Sequence, residues 1–248
     1  NNRIVGRTDL RTNELGNGVY VWNAPGAQVI GNYITGGRDG IFTNASRKNV
    51  FRGNRIENVR FGIHYMYTND SEVSGNVSRN NHDGYVIMYS SRLVVRRNLS
   101  EDDGDHGLLL NYANDAEIEG NVVRRSDQCV FIYNANKNMF ADNRFEDCAV
   151  GIHLTAGSER NRMTGNAFVH NRSQVVYVGT RSLDWSADGR GNYWSDNPAF
   201  DLQGDGIADT AYRPNDIFDK VVWTYPTAKL LINSPAVQVI RWAQAEFP

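Results

Sequence analysis

One asparagine returns at a nearly constant interval along the chain: Asn32, Asn54, Asn76, Asn98, Asn121, Asn143 and Asn166. The gaps are 22, 22, 22, 23, 22 and 23 residues, and Gly precedes five of the seven. A second row keeps the same interval through Gly18, Gly40, Gly62, Gly84, Gly107, Cys129, Gly151 and Gln174. A fixed period of this length demands a solenoid. Each repeat in such a stack touches only its neighbours, so function must lie on an outer face or at an end.

The repeat unit follows from its apolar rows. Val19, Ile41, Ile63, Tyr85, Leu108, Val130, Ile152 and Val175 come directly after the Gly row. Two residues further on stand Val21, Thr43, Tyr65, Ile87, Leu110, Ile132, Leu154 and Tyr177. Other rows flank the asparagines, with Val29, Phe51 and Val73 before them and Ile34, Ile56 and Phe145 after. Alternation with period two belongs to strands, and one repeat is too short for two packed helices with loops. The prediction is an all-β chain: a parallel β-helix of about eight coils of 22–23 residues, right-handed by the crossover rule. Inward asparagines at a bend then bond to their equivalents about 4.8 Å above and below. Arg97 and Asp142 replace Gly in the preceding row, so two bends are expected to differ slightly.

Composition narrows the function. The net charge is −2, and only Lys48, Lys137, Lys220 and Lys229 of the 26 basic residues are lysines. No basic stripe runs along a face, which argues against nucleic acid. No apolar run reaches membrane-spanning length. The chain opens at Asn1 in mid-pattern without Met or a signal segment, as expected of a processed or trimmed protein. Cys129 and Cys148 fall in successive coils but three positions out of register, which makes a disulfide doubtful.

The expected organisation is β-helix over 1–190, a capping loop region over 191–227 and an amphipathic helix over 228–248. Trp185, Tyr193, Trp194 and Phe200 are the expected plugs for the open end. Asp201, Gln203, Asp205 and Asp209, with the Ile207 carbonyl, match the first positions of a calcium loop, although Tyr212 stands where the bidentate Glu belongs. Ser234-Pro235 reads as an N-cap and first helical residue. Ala236, Ile240, Ala243 and Phe247 then fall on one face, widened by Val237 and Val239. That face either packs back on the solenoid or docks a partner.

Strand parity places two further rows outside. One is Tyr20, Phe42, His64, Val86, Leu109, Phe131, His153 and Val176; the other is Trp22, Asn44, Met66, Met88, Asn111, Tyr133, Thr155 and Val178. Neither contains Asp, Glu, Lys or Arg, and a large uncharged apolar face marks a partner or ligand surface. Within it His64, Met66 and Met88 form a soft donor set suited to Cu(I). His82, His106 and His170 are expected as solvated turn residues. The run Glu101-Asp102-Asp103-Gly104-Asp105-His106 offers a rival function, a polysaccharide lyase, hydrolase or epimerase. All its acids lie in one turn of one coil, however, so a solvated bulge is the preferred reading.

Three segments carry a family resemblance: Gly62-Ile63-His64-Tyr65-Met66-Tyr67, Cys129-Val130-Phe131-Ile132-Tyr133-Asn134-Ala135-Asn136 and Thr155-Ala156-Gly157-Ser158-Glu159-Arg160-Asn161. Further matches are Asn192-Tyr193-Trp194-Ser195-Asp196 and Ser234-Pro235-Ala236-Val237-Gln238. Together they resemble the NosD family of nitrous oxide reductase maturation proteins from about Gly40 onward. The resemblance implies a non-catalytic periplasmic member of an ABC-type complex with an ATPase and a membrane permease. Such a complex acts with a lipoprotein copper chaperone and apo nitrous oxide reductase. It also implies that the family's chain begins earlier and runs further. Mannuronan epimerases share the fold, but their Asp-Pro-His-Asp motif is absent here. Phe42, Leu109, Phe131, Tyr133, Val237, Ile240 and Phe247 are the expected partner-binding residues.

Overall fold

The computed structural model describes residues 1–177, 183–197, 200–209, 211–212, 221, 224–231 and 234–246. Among the described residues three parallel sheets of nine, eight and seven strands run along a β-helix, and each complete coil contributes one strand to each sheet. Registers are in step with the sequence period: Ile41 pairs with Ile63, and Ile63 with Tyr85. The expected inward rows are the core, with Ile41, Phe51, Tyr65, Leu110, Phe140 and Phe168 all fully buried. Thr43 keeps its place in this core and lies 3.4 Å from the Thr68 hydroxyl.

The asparagine ladder is continuous and longer than the strict period suggests. It joins Asn2, Asn32, Asn54, Asn76, Asn98, Asn121, Asn143, Asn166 and Asn192 through side-chain bonds of 2.8–3.0 Å. Each inner amide also closes on a carbonyl of an earlier coil, as Asn98 Nδ2 does on Val73 O at 3.0 Å. A buried polar row is tolerated because every member is satisfied. The 26-residue step to Asn192 is therefore a longer last coil, not the loss of the ladder.

The Gly row has a steric cause. A Cβ on Gly84 would lie 2.5 Å from the Gly107 carbonyl oxygen and 2.7 Å from Asp103 Oδ2. The end is plugged by Trp194, stacked 4.3 Å from Phe168 and covered by Tyr212 at 4.6 Å, with Trp185 packed alongside. Tyr193 and Phe200, the other expected plugs, are exposed instead. The helix runs Pro235–Glu246, and Ser234 Oγ accepts from Val237 N at its start. No helix among the described residues is long and apolar enough to cross a membrane.

Two expectations are corrected here. Cys129 and Cys148 form a disulfide, with Cα atoms 5.7 Å apart. The offset is the corner geometry itself, since the Gly row of one coil faces the residue three places before the Gly row of the next, or four where the coil carries an extra residue. Gly62 with Asn81, Gly84 with Asp103 and Gly151 with Asn171 meet in the same way. The acid run, in turn, is no solvated bulge. Glu101 is buried, with Arg79 Nε at 2.6 Å and Arg124 and Arg125 on its other oxygen. Asp103 points inward and is fully buried. Only Asp102 and Asp105 of the four acids are exposed.

Candidate metal site on the outward sheet face

The eight-stranded sheet carries the candidate residues. Met66 and Met88 are Cα partners on adjacent strands, and His64 precedes Met66 by two residues on Phe61–Asn69. All three are on the outward parity of their strands. Outward does not mean uncovered, however: His64 is 7% exposed and Val86 beside it 0%. Phe42, Leu109, Phe131, Met66 and Met88 are half-buried, and Tyr133 is exposed. The apolar wall is thus closed over at its middle and open towards Tyr20 and Trp22. Val178 of the second row lies outside the described residues.

The cover comes from residues that the parity argument overlooks. Asp39, just before Gly40, leans out so that its Oδ2 lies 3.2 Å from His64 Nδ1. Arg60 clamps the same carboxylate through Nε and Nη2, both at 2.8 Å. Its guanidinium lies 4.1 Å over Phe61, whose ring meets His64 edge-on at 5.1 Å. Phe42 stacks on the other side of the imidazole at 4.7 Å. Burial works against the Asp39 charge, but the bonds from His64 and Arg60 outweigh it and hold its pKa below the ordinary value. The site also contains an orphan: His64 Nε2 is buried and has no hydrogen-bond partner.

His106 corrects another expectation, because it is no solvated turn residue. Its Nδ1 lies 2.6 Å from Asp83 Oδ1, and its ring is 5.2 Å from Phe131. His82 shares Asp83 at 3.1 Å while remaining exposed, and His170 is exposed as expected. His153 directs Nδ1 to Gln128 Oε1 at 3.0 Å. Burial, and then the nearby His106 charge, lower its pKa.

The expected calcium loop is closed by its own amides. Asp201 accepts from Gly204 N at 2.6 Å and Gly206 N at 2.8 Å, and Asp209 from Leu202 N at 2.8 Å. Asp205 accepts from Ile207 N at 2.8 Å, and the Gln203 amide reaches Asp209. Among the described residues no three His, Cys, Asp or Glu side chains gather as a metal would require. Calcium therefore has no support here. A set of one imidazole and two thioethers falls outside that inventory, and a buried nitrogen without a partner on the same sheet face as two neutral sulfur donors is the donor chemistry of a soft monovalent ion.

On the C-terminal helix, Val237 is buried against the chain itself and so is not part of a docking face. Ile240 is exposed, as are Val239 and Trp242. Phe247 lies outside the described residues.

The geometry defines a polar-laddered parallel β-helix with soft, uncharged donors gathered on one outward sheet. The chain belongs to the NosD family: the family described as "Periplasmic copper-binding protein (NosD)" matches residues 1–199. It is 44% identical to "Probable ABC transporter binding protein NosD" of Stutzerimonas stutzeri, across 100% of this chain and 60% of that protein. Identity to the protein of the same name in Pseudomonas aeruginosa is 43%, across 100% of this chain and 61% of that protein. The chain thus spans about three fifths of the length of these relatives. Among solved structures, a double mutant of the periplasmic alginate epimerase AlgG aligns with a TM-score of 0.49. It is 17% identical, over 62% of this chain and 38% of that one.

Proposed function

We propose that this chain is a non-catalytic scaffold for periplasmic copper handling. It receives Cu(I) as cargo at His64, Met66 and Met88 and holds it for transfer. The observation that carries this reading is the buried, unpartnered Nε2 of His64, on the strand whose Met66, two residues along, pairs in register with Met88. A buried nitrogen left without a partner costs about 1–3 kcal/mol, a cost that a bound ion would remove. The relatives' name, ABC transporter binding protein, supports association with an ABC-type transporter, whose ATPase and permease are the proposed partners. A copper chaperone lipoprotein and apo nitrous oxide reductase would be the donor and the acceptor. The half-buried Phe42, Leu109 and Phe131, with exposed Tyr133 and Ile240, are the contacts proposed for those proteins.

The polysaccharide-enzyme reading has weaker support. Asp103 is inside the solenoid and Glu101 is held by three arginines, so of the four acids only Asp102 and Asp105, in one turn of one coil, face the solvent, which favours the scaffold reading. The deciding experiment is anaerobic competition for Cu(I) against a chromophoric chelator. His64→Ala/Met66→Ala should lose at least about tenfold in affinity, and an undiminished affinity would remove the site.

A further inference from the structure

We propose that Asp39 is the positioning residue of this site: it keeps the His64 proton on Nδ1, so that Nε2 offers a lone pair to the ion, and Arg60 locks Asp39 in that role. The proposal rests on the Cu(I) reading above and names what controls it.

The carboxylate is almost wholly withdrawn from water, at 1% exposure, and both its oxygens are committed. Oδ1 accepts from Arg60 Nε, while Oδ2 accepts from Arg60 Nη2 and from His64 Nδ1. An ionised carboxylate can only accept, so the Nδ1 that faces it must carry the proton. The neutral imidazole then has its lone pair on Nε2, the atom that is buried without a partner. Ring rotation is blocked by Phe42 stacked on one side and Phe61 set edge-on at 5.1 Å. Direction, tautomer and ring plane are therefore fixed before any ion arrives, as in carboxylate–histidine–metal triads.

Arg60 adds selectivity. Its fork cancels the Asp39 charge at two bonds of 2.8 Å, so the carboxylate orients the imidazole without making the site anionic. Imidazole and thioethers with no net negative charge hold a soft monovalent ion and give a hard divalent ion little. His106 offers a contrast on the same sheet. Its partner Asp83 is shared with a second histidine, His82, and among the described residues no arginine clamps it.

The test uses the full chain. Long-range nitrogen–proton NMR reads the His64 tautomer at pH 7.5, and Cu(I) or the redox-inert Ag(I) serves as probe. The expected wild-type spectrum has the proton on Nδ1 and a His64 Nε2 resonance that moves on adding Ag(I). A proton on Nε2 in the wild type would overturn the assignment without any variant. Asp39→Asn should mix the tautomers and weaken Cu(I) by 10–100-fold. Arg60→Gln keeps the carboxylate and should weaken Cu(I) by a smaller factor. If Asp39→Asn binds Cu(I) within twofold of wild type while His64→Ala does not, the positioning role is wrong and the site stands. If His64→Ala binds as wild type does, the site reading falls, and the role of Asp39 with it.

Discussion

Asp103 Oδ2 occupies the space beside Gly84 that Cys148 Sγ occupies beside Cys129, one corner of the solenoid filled in two chemically different ways. In neighbouring coils the same place holds Asn81 and Asn171, whose amides donate to the carbonyls of Ile56 and Phe145. Asp103 is thus a carboxyl group in an asparagine's position. It accepts from Asn81 N at 2.9 Å and lies 2.6 Å from Ser100 Oγ.

Burial raises the Asp103 pKa to about 6, against hydrogen bonds from Ser100 and Asn81 that pull it down. The folded state therefore binds this proton more tightly than the unfolded chain does. The associated stability is fully present below about pH 4, fades as pH rises towards about 6, and is absent above. Asp103→Asn should remove that slope and raise stability at pH 7.5 by roughly 2–3 kcal/mol. Thermal melts of both proteins at pH 4.5 and 7.5 check this; an unchanged or lower melting temperature at pH 7.5 counts against it.

The Cys129–Cys148 bond closes a short loop, with a sequence separation of 19. Its removal by Cys129→Ala/Cys148→Ala should cost about 2–4 kcal/mol. Denaturant unfolding with and without reductant measures the loss, and the double variant should be indifferent to reductant.

Asn98 meets four partners, donating to Val73 O and Asn121 Oδ1 and accepting from Asn76 N and Nδ2. Asn98→Ala should destabilise by about 3–5 kcal/mol, because several buried groups lose partners together. The Asn2 side chain, at the ladder's exposed end, donates to Asn32 Oδ1, so Asn2→Ala should cost less than about 1 kcal/mol. Equal losses would show that the ladder has no energetic interior.

Two glycines separate space from backbone conformation. A Cβ at Gly84 meets three atoms within 2.7 Å, so Gly84→Ala should prevent the coil from closing. Gly53 has φ +62° and open space around it, so Gly53→Ala should cost only about 1 kcal/mol. Circular dichroism and melting temperature distinguish the two outcomes.

The solenoid, its inward rows and the Asn ladder were legible because each is a repeat, and a repeat survives errors at single positions. Coverage of the outward wall was not. Parity fixes which way His64 points, but the side chains that hold it come from corner residues such as Asp39, itself clamped by Arg60. A trace was present: Asp39-Gly40 and Asp83-Gly84 precede His64 and His106 by 25 and 23 residues, in matching corners. The disulfide was misjudged for a related reason. Register along one row does not show it, because the contact joins two rows, as in Gly62 with Asn81 and Gly84 with Asp103, 19 residues apart. The Asp201 loop misled because oxygen spacing alone cannot tell a metal ligand from a carboxylate that caps its own amides.

Every rung of the asparagine ladder sends its N–H forward, from Asn32 to Asn54 Oδ1 and so on to Asn192. The stack has an arrow, and it should wear unevenly. Cutting away late coils takes the acceptor from both a peptide N–H and a side-chain N–H of the last asparagine, as Asn121 serves Asn98. Cutting away early ones frees an amide oxygen and takes the acceptor from one side-chain N–H, as Val73 serves Asn98. Shortening from the front should be the gentler injury.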